Sequence, residues 1–217
     1  GQVIGPIAAV ALLVHVSVQP VFLIFAITIL ATLLLLPLMK APAAASKEQL
    51  EESMRDILKL ASKDPSFAMI FIGFFSCGYQ LAFITAHFPA LVTEMSSPID
   101  PSGWCGDLGI ETTAALGGFS ISVIGFANIL GTLLAGWAGK RYPRKWILSG
   151  IYAGRSISAI WFILTPITPN SVLIFSFAMG FLWLATVPLT SGLIAHIYGL
   201  KYMATLYGIV FFSHQLG

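Results

Sequence analysis

The sequence predicts an all-α membrane protein, a bundle of about seven transmembrane helices. Of its 217 residues, 57% are hydrophobic and only 9% are charged, whereas about 25% of residues in a typical soluble domain are charged. The apolar residues gather into seven long segments. Because lipid offers the backbone no hydrogen-bond partners, a spanning segment must be a helix or part of a closed barrel. The stretch Leu23–Met39 is apolar on every face, which excludes the alternating pattern of barrel strands.

The predicted spans follow from length, since a helix needs about 20 apolar residues to cross about 30 Å of hydrocarbon. The first segment has no basic residues before it and further spans follow, so we interpret it as a span and not as a signal peptide. Because both chain ends lie within apolar segments, we expect the sequence to be part of a longer protein. In chain order the predicted spans are Gly1–Val18, Pro20–Met39, Phe67–Thr93, Leu116–Ala138, Trp146–Ile167, Val172–Ile197 and Met203–Gly217.

Basic residues lie almost entirely in the loops on one side of these spans. Ten of the eleven Lys and Arg residues are there, and Arg155 is the exception. Basic loops remain in the cytoplasm, so loops 40–66, 139–145 and 198–202 are predicted to be cytoplasmic. The loop Glu94–Ala115 has acidic residues but no basic ones, and we expect it to face outward. The net charge of only +2 indicates no nucleic-acid partner.

The loop 40–66 contains a predicted amphipathic helix. Ser46 and Gln49 have the spacing of a capping box at its start. An apolar stripe at helical spacing follows, and the other face is charged. The helix could lie on the membrane surface or be an ordinary solvated linker. In both cases it forms the domain boundary between residues 1–39 and 67–217.

The basic turn after the fourth span has a specific spacing. It resembles the loop signature G-x-x-x-D-R-x-G-R-K of the major facilitator superfamily, although any cytoplasmic hairpin could hold basic residues for topology alone. Lys140 replaces the aspartate of the signature and Pro143 replaces its second glycine. These departures are typical of the weaker second copy of the signature, which follows the eighth span. Because the aspartate is absent, we do not assign its charge-relay role to this chain. The residues that match are Gly136, Arg141, Arg144 and Lys145.

The order of elements resembles spans five to eleven of a twelve-span facilitator. Residues 1–39 would then be the last two helices of an N-terminal six-helix half, and residues 67–217 most of the C-terminal half. The remaining N-terminal helices of the same chain would be a partner. The stretches Phe74–Pro89 and Thr186–Gly217 resemble the bacterial branch near monocarboxylate and oxalate/formate carriers. The resemblance implies a multi-pass protein of the bacterial inner membrane.

Arg155 is the strongest candidate for a substrate-binding residue. It lies nine residues past Trp146, about 13 Å into its span at 1.5 Å per residue. A charge near the midplane is costly and usually marks a functional site or a paired structural one. No Asp or Glu lies in any predicted span. Arg155 could therefore hold a carboxylate substrate in a bidentate grip, pair with an acid elsewhere, or cap backbone carbonyls.

Four further polar residues within spans are candidate substrate ligands: His87, Gln80, Asn128 and Thr190. His87 and Gln80 share a helix face. The histidine could relay protons, although a lone histidine is more often a packing residue. Asn128 lies in the fourth predicted span. Eukaryotic monocarboxylate carriers hold charged residues at comparable positions in this span, and this chain does not. Thr190 follows Pro188, and interrupted helices often line transporter sites, although proline kinks also serve packing.

The resemblance implies a secondary transporter that moves a small organic anion, a mono- or dicarboxylate, by alternating access. Coupling to protons or a counter-anion is expected, with membrane lipid as the surrounding partner. An efflux antiporter for apolar or drug-like compounds is an alternative, suggested by GQVIGP (Gly1–Pro6), which resembles an antiporter motif. A second alternative is a non-transporting membrane protein, either a sensor or a membrane-embedded enzyme. No catalytic motif is present, and Cys77 and Cys105 lack metal-ligand spacing, so no enzyme, cofactor or metal is predicted.

Overall fold

The structure, a computed structural model, describes residues 47–217, with side chains from Met54 onward. The predicted spans Gly1–Val18 and Pro20–Met39 and the cap residue Ser46 lie outside these residues. The part of the chain that is described consists of helices joined by short turns. In chain order they are α1 Lys47–Lys63, α2 Pro65–Ala86, α3 Phe88–Met95, α4 Trp104–Asp107, α5 Thr113–Arg141, α6 Arg144–Leu164, α7 Pro169–Trp183, α8 Thr186–Tyr198 and α9 Leu200–Leu216.

The all-helical fold predicted from composition is confirmed. Within residues 47–217, helices α2, α5 and α6 and the α7–α8 pair are each long and apolar enough to cross a membrane. With 29 residues, α5 is about 43 Å long at 1.5 Å per residue. It therefore extends beyond the hydrocarbon and shortens the basic turn to Tyr142 and Pro143.

Two predicted spans are each divided into two helices, because proline lacks a backbone N–H and cannot continue the hydrogen-bond pattern. The span Phe67–Thr93 breaks at His87, where α2 ends and α3 begins with Pro89 in its first turn. The span Val172–Ile197 breaks at Leu184 and Ala185, close before Pro188 in α8. Hydropathy did not indicate either break, since the apolar runs continue through both.

The bundle is held together by close backbone contacts between helices. The Cα of Gly131 in α5 faces the carbonyl of Phe181 in α7, and Gly180 in α7 faces the carbonyl of Ile124 in α5. A Cβ at either glycine would overlap the facing carbonyl oxygen. Small residues are what permit such approach between helices in a membrane.

The amphipathic helix α1 joins the bundle through its last turns. Ala61 is buried among residues of α2, α8 and α9, and Ile57 and Leu58 pack against the same cluster. Beyond α1, Asp64 caps α2 by accepting a hydrogen bond from the Ser66 backbone N–H. These residues of α1 thus cover one end of the bundle, and the charged side chains of α1 between positions 55 and 63 are exposed.

Candidate functional site

Arg155 is completely buried in the middle of α6, with 0% of its surface exposed. It stands eleven residues after Arg144, the first residue of α6, which places it about 16 Å along the helix axis. It is the largest side chain among those that are fully buried in the described residues. A guanidinium at this depth must be compensated by hydrogen bonds, a counter-charge or a ligand.

Among the side chains that the structure describes, the guanidinium has one hydrogen-bond partner and one unpartnered edge. Its Nη1 donates a hydrogen bond to the Cys77 Sγ at 3.1 Å. Its Nε and Nη2 are buried and have no hydrogen-bond partner within residues 54–217. The ring of Tyr152 lies on the same helix, with its centroid 5.9 Å from the Arg155 Cζ. Two donors in the low-dielectric interior therefore have unused capacity for an anion.

The sulfur that contacts Arg155 belongs to a short polar chain across the bundle. Cys77 Sγ lies 4.0 Å from the Thr186 Oγ1, and that hydroxyl donates to the Trp183 carbonyl at 3.0 Å. Since a hydroxyl has one proton, the thiol is the donor in its contact with Thr186. The sulfur lone pairs are then available to accept from Arg155. This chain links α2, α6 and the break between α7 and α8.

Two other predicted ligands contribute unpartnered atoms near these residues in the fold. Gln80 lies one turn after Cys77 on the same face of α2, and its buried Oε1 has no hydrogen-bond partner among the described residues. Thr190 lies one turn after Thr186 on the same face of α8, and its buried Oγ1 is likewise unpartnered there. Polar groups that are buried without a partner are costly, so these atoms favour a polar ligand between the helices.

His87 and Asn128 have different surroundings. His87 is exposed at the junction of α2 and α3, and its nearest ring contact is Phe83, with centroids 6.1 Å apart. It lies ten residues from Cys77, about 15 Å further along the helix. Asn128 is buried in α5, and its Oδ1 accepts a hydrogen bond from the Leu184 backbone N–H at 3.1 Å. Asn128 thus satisfies a donor that the break before α8 would otherwise leave without a partner.

The basic turn is tied to α8 by one of its arginines. Arg144 Nη1 donates to the Gly192 carbonyl at 2.7 Å, and a Cβ at Gly192 would come within 3.0 Å of the Arg144 Nε. Arg141 lies over the Trp137 ring at 4.8 Å and Lys145 over the Trp146 ring at 5.7 Å. No atom lies within 4 Å of a Cβ placed at Gly136.

A groove of about 430 Å³ runs between α2, α6 and α8. Its lining includes Ser66 and Lys145, near the first residues of α2 and α6, and Tyr152, the lining residue farthest along α6. Gly73 also lines it, and a Cβ there would lie 3.4 Å from the Tyr152 ring and hydroxyl. Tyr152 thus lines the groove and also lies close to the Arg155 guanidinium.

The two cysteines have separate settings, as their sequence positions predict. Both are free and buried, with Cys77 in α2 and Cys105 in the short helix α4. Burial raises the pKa of the Cys105 thiol above its ordinary value. Within the described residues, no group of three or more His, Cys, Asp or Glu side chains could hold a metal ion. Sequence reasoning missed Cys77 and Thr186 as members of the site, because both are small residues common in packed helices.

Comparison with known proteins identifies the family. The sequence model of the Major Facilitator Superfamily matches residues 1–217, so the chain belongs to this superfamily. Membership in this transporter superfamily, together with the apolar helices, supports a multi-pass membrane protein. An uncharacterized MFS-type transporter, YcxA of Bacillus subtilis (strain 168), is 28% identical over 213 residues. The alignment covers 93% of this chain and 48% of that protein, so the chain spans about half the length of the curated relative that it matches. No solved structure matches the chain.

Proposed function

We propose that this protein carries a small organic anion, a mono- or dicarboxylate, across the bacterial inner membrane. Family membership supports transport, and the substrate class is our inference from the site. Two bundles would rock about a site near the midplane, which opens to one side at a time. Movement of the anion would be coupled to protons or to a counter-anion.

The observation that carries the proposal is the free edge of Arg155. A buried guanidinium attracts anions strongly, because the surrounding dielectric constant is low. No acidic residue lies in the predicted spans that the structure describes, so a substrate carboxylate is the counter-charge we assign to it. Gln80 and Thr190 would supply further polar contacts to the substrate. His87 and Asn128 remain predicted ligands on sequence grounds.

The groove between α2, α6 and α8 suggests the cytoplasmic route to this site. Lys145 at its mouth would attract anions. The Tyr152 ring, which lines the groove and lies close to Arg155, would have to move for passage. The interrupted α7–α8 pair supplies a place where one helix can bend relative to the other, as in other transporters with broken helices.

An efflux antiporter for apolar or drug-like compounds is the second candidate. The motif that suggested it, Gly1–Pro6, lies outside the residues that the structure describes. A buried guanidinium with unpartnered donors would repel cationic drugs, which favours the anion carrier. Both candidates belong to the same family, so only a transport measurement separates them.

The test compares substrate classes on the protein expressed from its complete reading frame and reconstituted in liposomes. Radiolabelled lactate and succinate represent the proposed anions, and ethidium represents lipophilic cations. We expect saturable uptake of at least one carboxylate above empty liposomes, and exchange with unlabelled carboxylate or acceleration by a proton gradient. Transport of ethidium with no movement of carboxylates would contradict the proposal and support the antiporter.

A further inference from the structure

We infer that Cys77 is a positioning residue that holds Nη1 of Arg155 and thereby presents the Nε–Nη2 edge to one carboxylate group of the substrate. This inference rests on the proposed function, because it specifies how the same site recognises its anion. It also adds a residue that sequence analysis did not select as a ligand.

The geometry of the guanidinium supports this assignment. An arginine offers a carboxylate two bidentate edges, one formed by Nη1 and Nη2 and the other by Nε and Nη2. Nη1 donates one of its two protons to the Cys77 sulfur, so the first edge includes a nitrogen that already has a partner. Nε and Nη2, which have no partner within residues 54–217, form the second edge. The donors left available are thus a matched pair in the plane of the guanidinium.

The direction of the hydrogen bonds explains why a thiol suits this position. Thr186 gives its own proton to the Trp183 carbonyl, so the thiol proton of Cys77 is directed to the Thr186 oxygen. The sulfur then faces Arg155 only as an acceptor. A soft, weak acceptor orients the guanidinium without neutralising it. An aspartate at this position would form an internal ion pair and compete with the substrate.

The anion that fits this edge is a planar carboxylate with both oxygens free. Two parallel N–H···O bonds to one carboxylate require that both oxygens accept. An amide or ester of the same acid offers only one carbonyl oxygen and no charge. We therefore expect that lactate competes for transport while lactamide at the same concentration does not.

The test measures KM and kcat of carboxylate uptake in proteoliposomes for Cys77 variants. Cys77→Ala removes the acceptor for Nη1, and a hydrogen bond to a charged group contributes enough that KM should rise about tenfold. We expect kcat to change less than about twofold, because an edge that is used equally throughout the cycle affects binding alone. Cys77→Ser keeps an acceptor and should recover most of the lost affinity. Cys105→Ala removes the other cysteine of the described residues, which lies in α4. It is the matched control and should leave both KM and kcat unchanged.

Thr186→Val provides an independent variant should Cys77→Ala fail to fold. It preserves volume but removes the acceptor of the thiol proton, and we expect a smaller rise in KM, again without a matching fall in kcat. Unchanged KM in Cys77→Ala and Thr186→Val, while Arg155→Ala raises KM at least about 100-fold, would overturn the role of Cys77 and leave the proposed function intact. Absence of carboxylate uptake by the unmodified protein would instead overturn the proposed function.

Discussion

At the scale of single residues, the sequence located Arg155 but not its surroundings. Depth in the span follows from counting along a helix, so the midplane position was predictable. The contact with Cys77 was not, because 78 residues separate the two in the chain. Pairing across that distance depends on how α2 and α6 are packed, which hydropathy does not encode.

For Asn128, the sequence predicted a role but did not indicate the contact that the structure shows. Its type and position in a span predicted a substrate ligand, and the structure adds a contact with the backbone N–H of Leu184. A helix break two spans later in the chain created that unsatisfied donor. The structure shows Asn128 as the hydrogen-bond acceptor at this helix break. Its contact with a substrate remains a prediction.

Replacing Asn128 by alanine tests this capping role. The buried Leu184 N–H would lose its acceptor, and we expect the free energy of unfolding to fall by about 1–3 kcal/mol. Thr132→Ala, one turn away on α5 and partly exposed, is the control and should change it by no more than about 0.5 kcal/mol. Unfolding in detergent monitored by circular dichroism measures both. Equal stability of Asn128→Ala and the parent protein would refute the cap.

Asp64 and Tyr198 form a contact whose strength depends on pH. The Tyr198 hydroxyl donates to the Asp64 Oδ2 at 2.5 Å, and this bond, with that from the Ser66 N–H, lowers the pKa of Asp64 below its ordinary value. A lowered folded-state pKa means that the charged carboxylate stabilises the fold. The stabilisation is present above the unfolded pKa of about 4 and is lost as pH falls through the lower folded value.

Tyr198→Phe should therefore melt at a lower temperature than the parent protein at pH 7. The difference should shrink as the pH is lowered below about 4, because Asp64 is protonated first in the unfolded chain and then, at its lowered pKa, in the folded parent protein. The phenylalanine preserves the edge contact with Phe67, so packing is retained. Tyr142→Phe, an exposed tyrosine of the basic turn, serves as control. A difference that stays constant from about pH 7 to about pH 3 would rule out the carboxylate as its cause.

At the scale of helices, the predicted spans within residues 47–217 are helical where hydropathy placed them, but two contain breaks. The sequence indicated that Pro188 interrupts or kinks its span. Whether a proline bends a transmembrane helix or interrupts it depends on what satisfies the released backbone groups. Asn128 provides such a group for the second break, and only the packed structure reveals it.

Helix packing gives a direct prediction for glycines within one helix. Gly131→Ala would place a methyl group against the Phe181 carbonyl, and overpacking of this kind should cost about 1–3 kcal/mol. Gly136→Ala, five residues later on the same helix, meets nothing within 4 Å. Because alanine is the better helix former, it should be neutral or stabilising by up to about 1 kcal/mol. Unfolding in detergent compares the two, and a stable Gly131→Ala protein would contradict the close approach of α5 and α7.

At the scale of the whole molecule, composition and charge distribution were sufficient for the fold class. Few charged residues, long apolar segments and basic loops on one face together predict a helical membrane bundle. The family follows from the sequence match over residues 1–217. Substrate and coupling depend on a few buried side chains in a chain that spans about half of its relative, and they remain proposals.

The most direct test of our account is the KM for carboxylate uptake by Arg155 variants of the protein expressed from its complete reading frame. Arg155→Ala should raise the KM for the best carboxylate at least about 100-fold, since loss of a buried charge contact costs several kcal/mol. Arg155→Lys keeps the charge but not the bidentate edge, so its KM should lie between those of the parent protein and Arg155→Ala. Arg55→Ala, an exposed arginine of α1, should match the parent protein. Carboxylate uptake by Arg155→Ala with an unchanged KM would contradict the central claim that this buried arginine binds the transported anion.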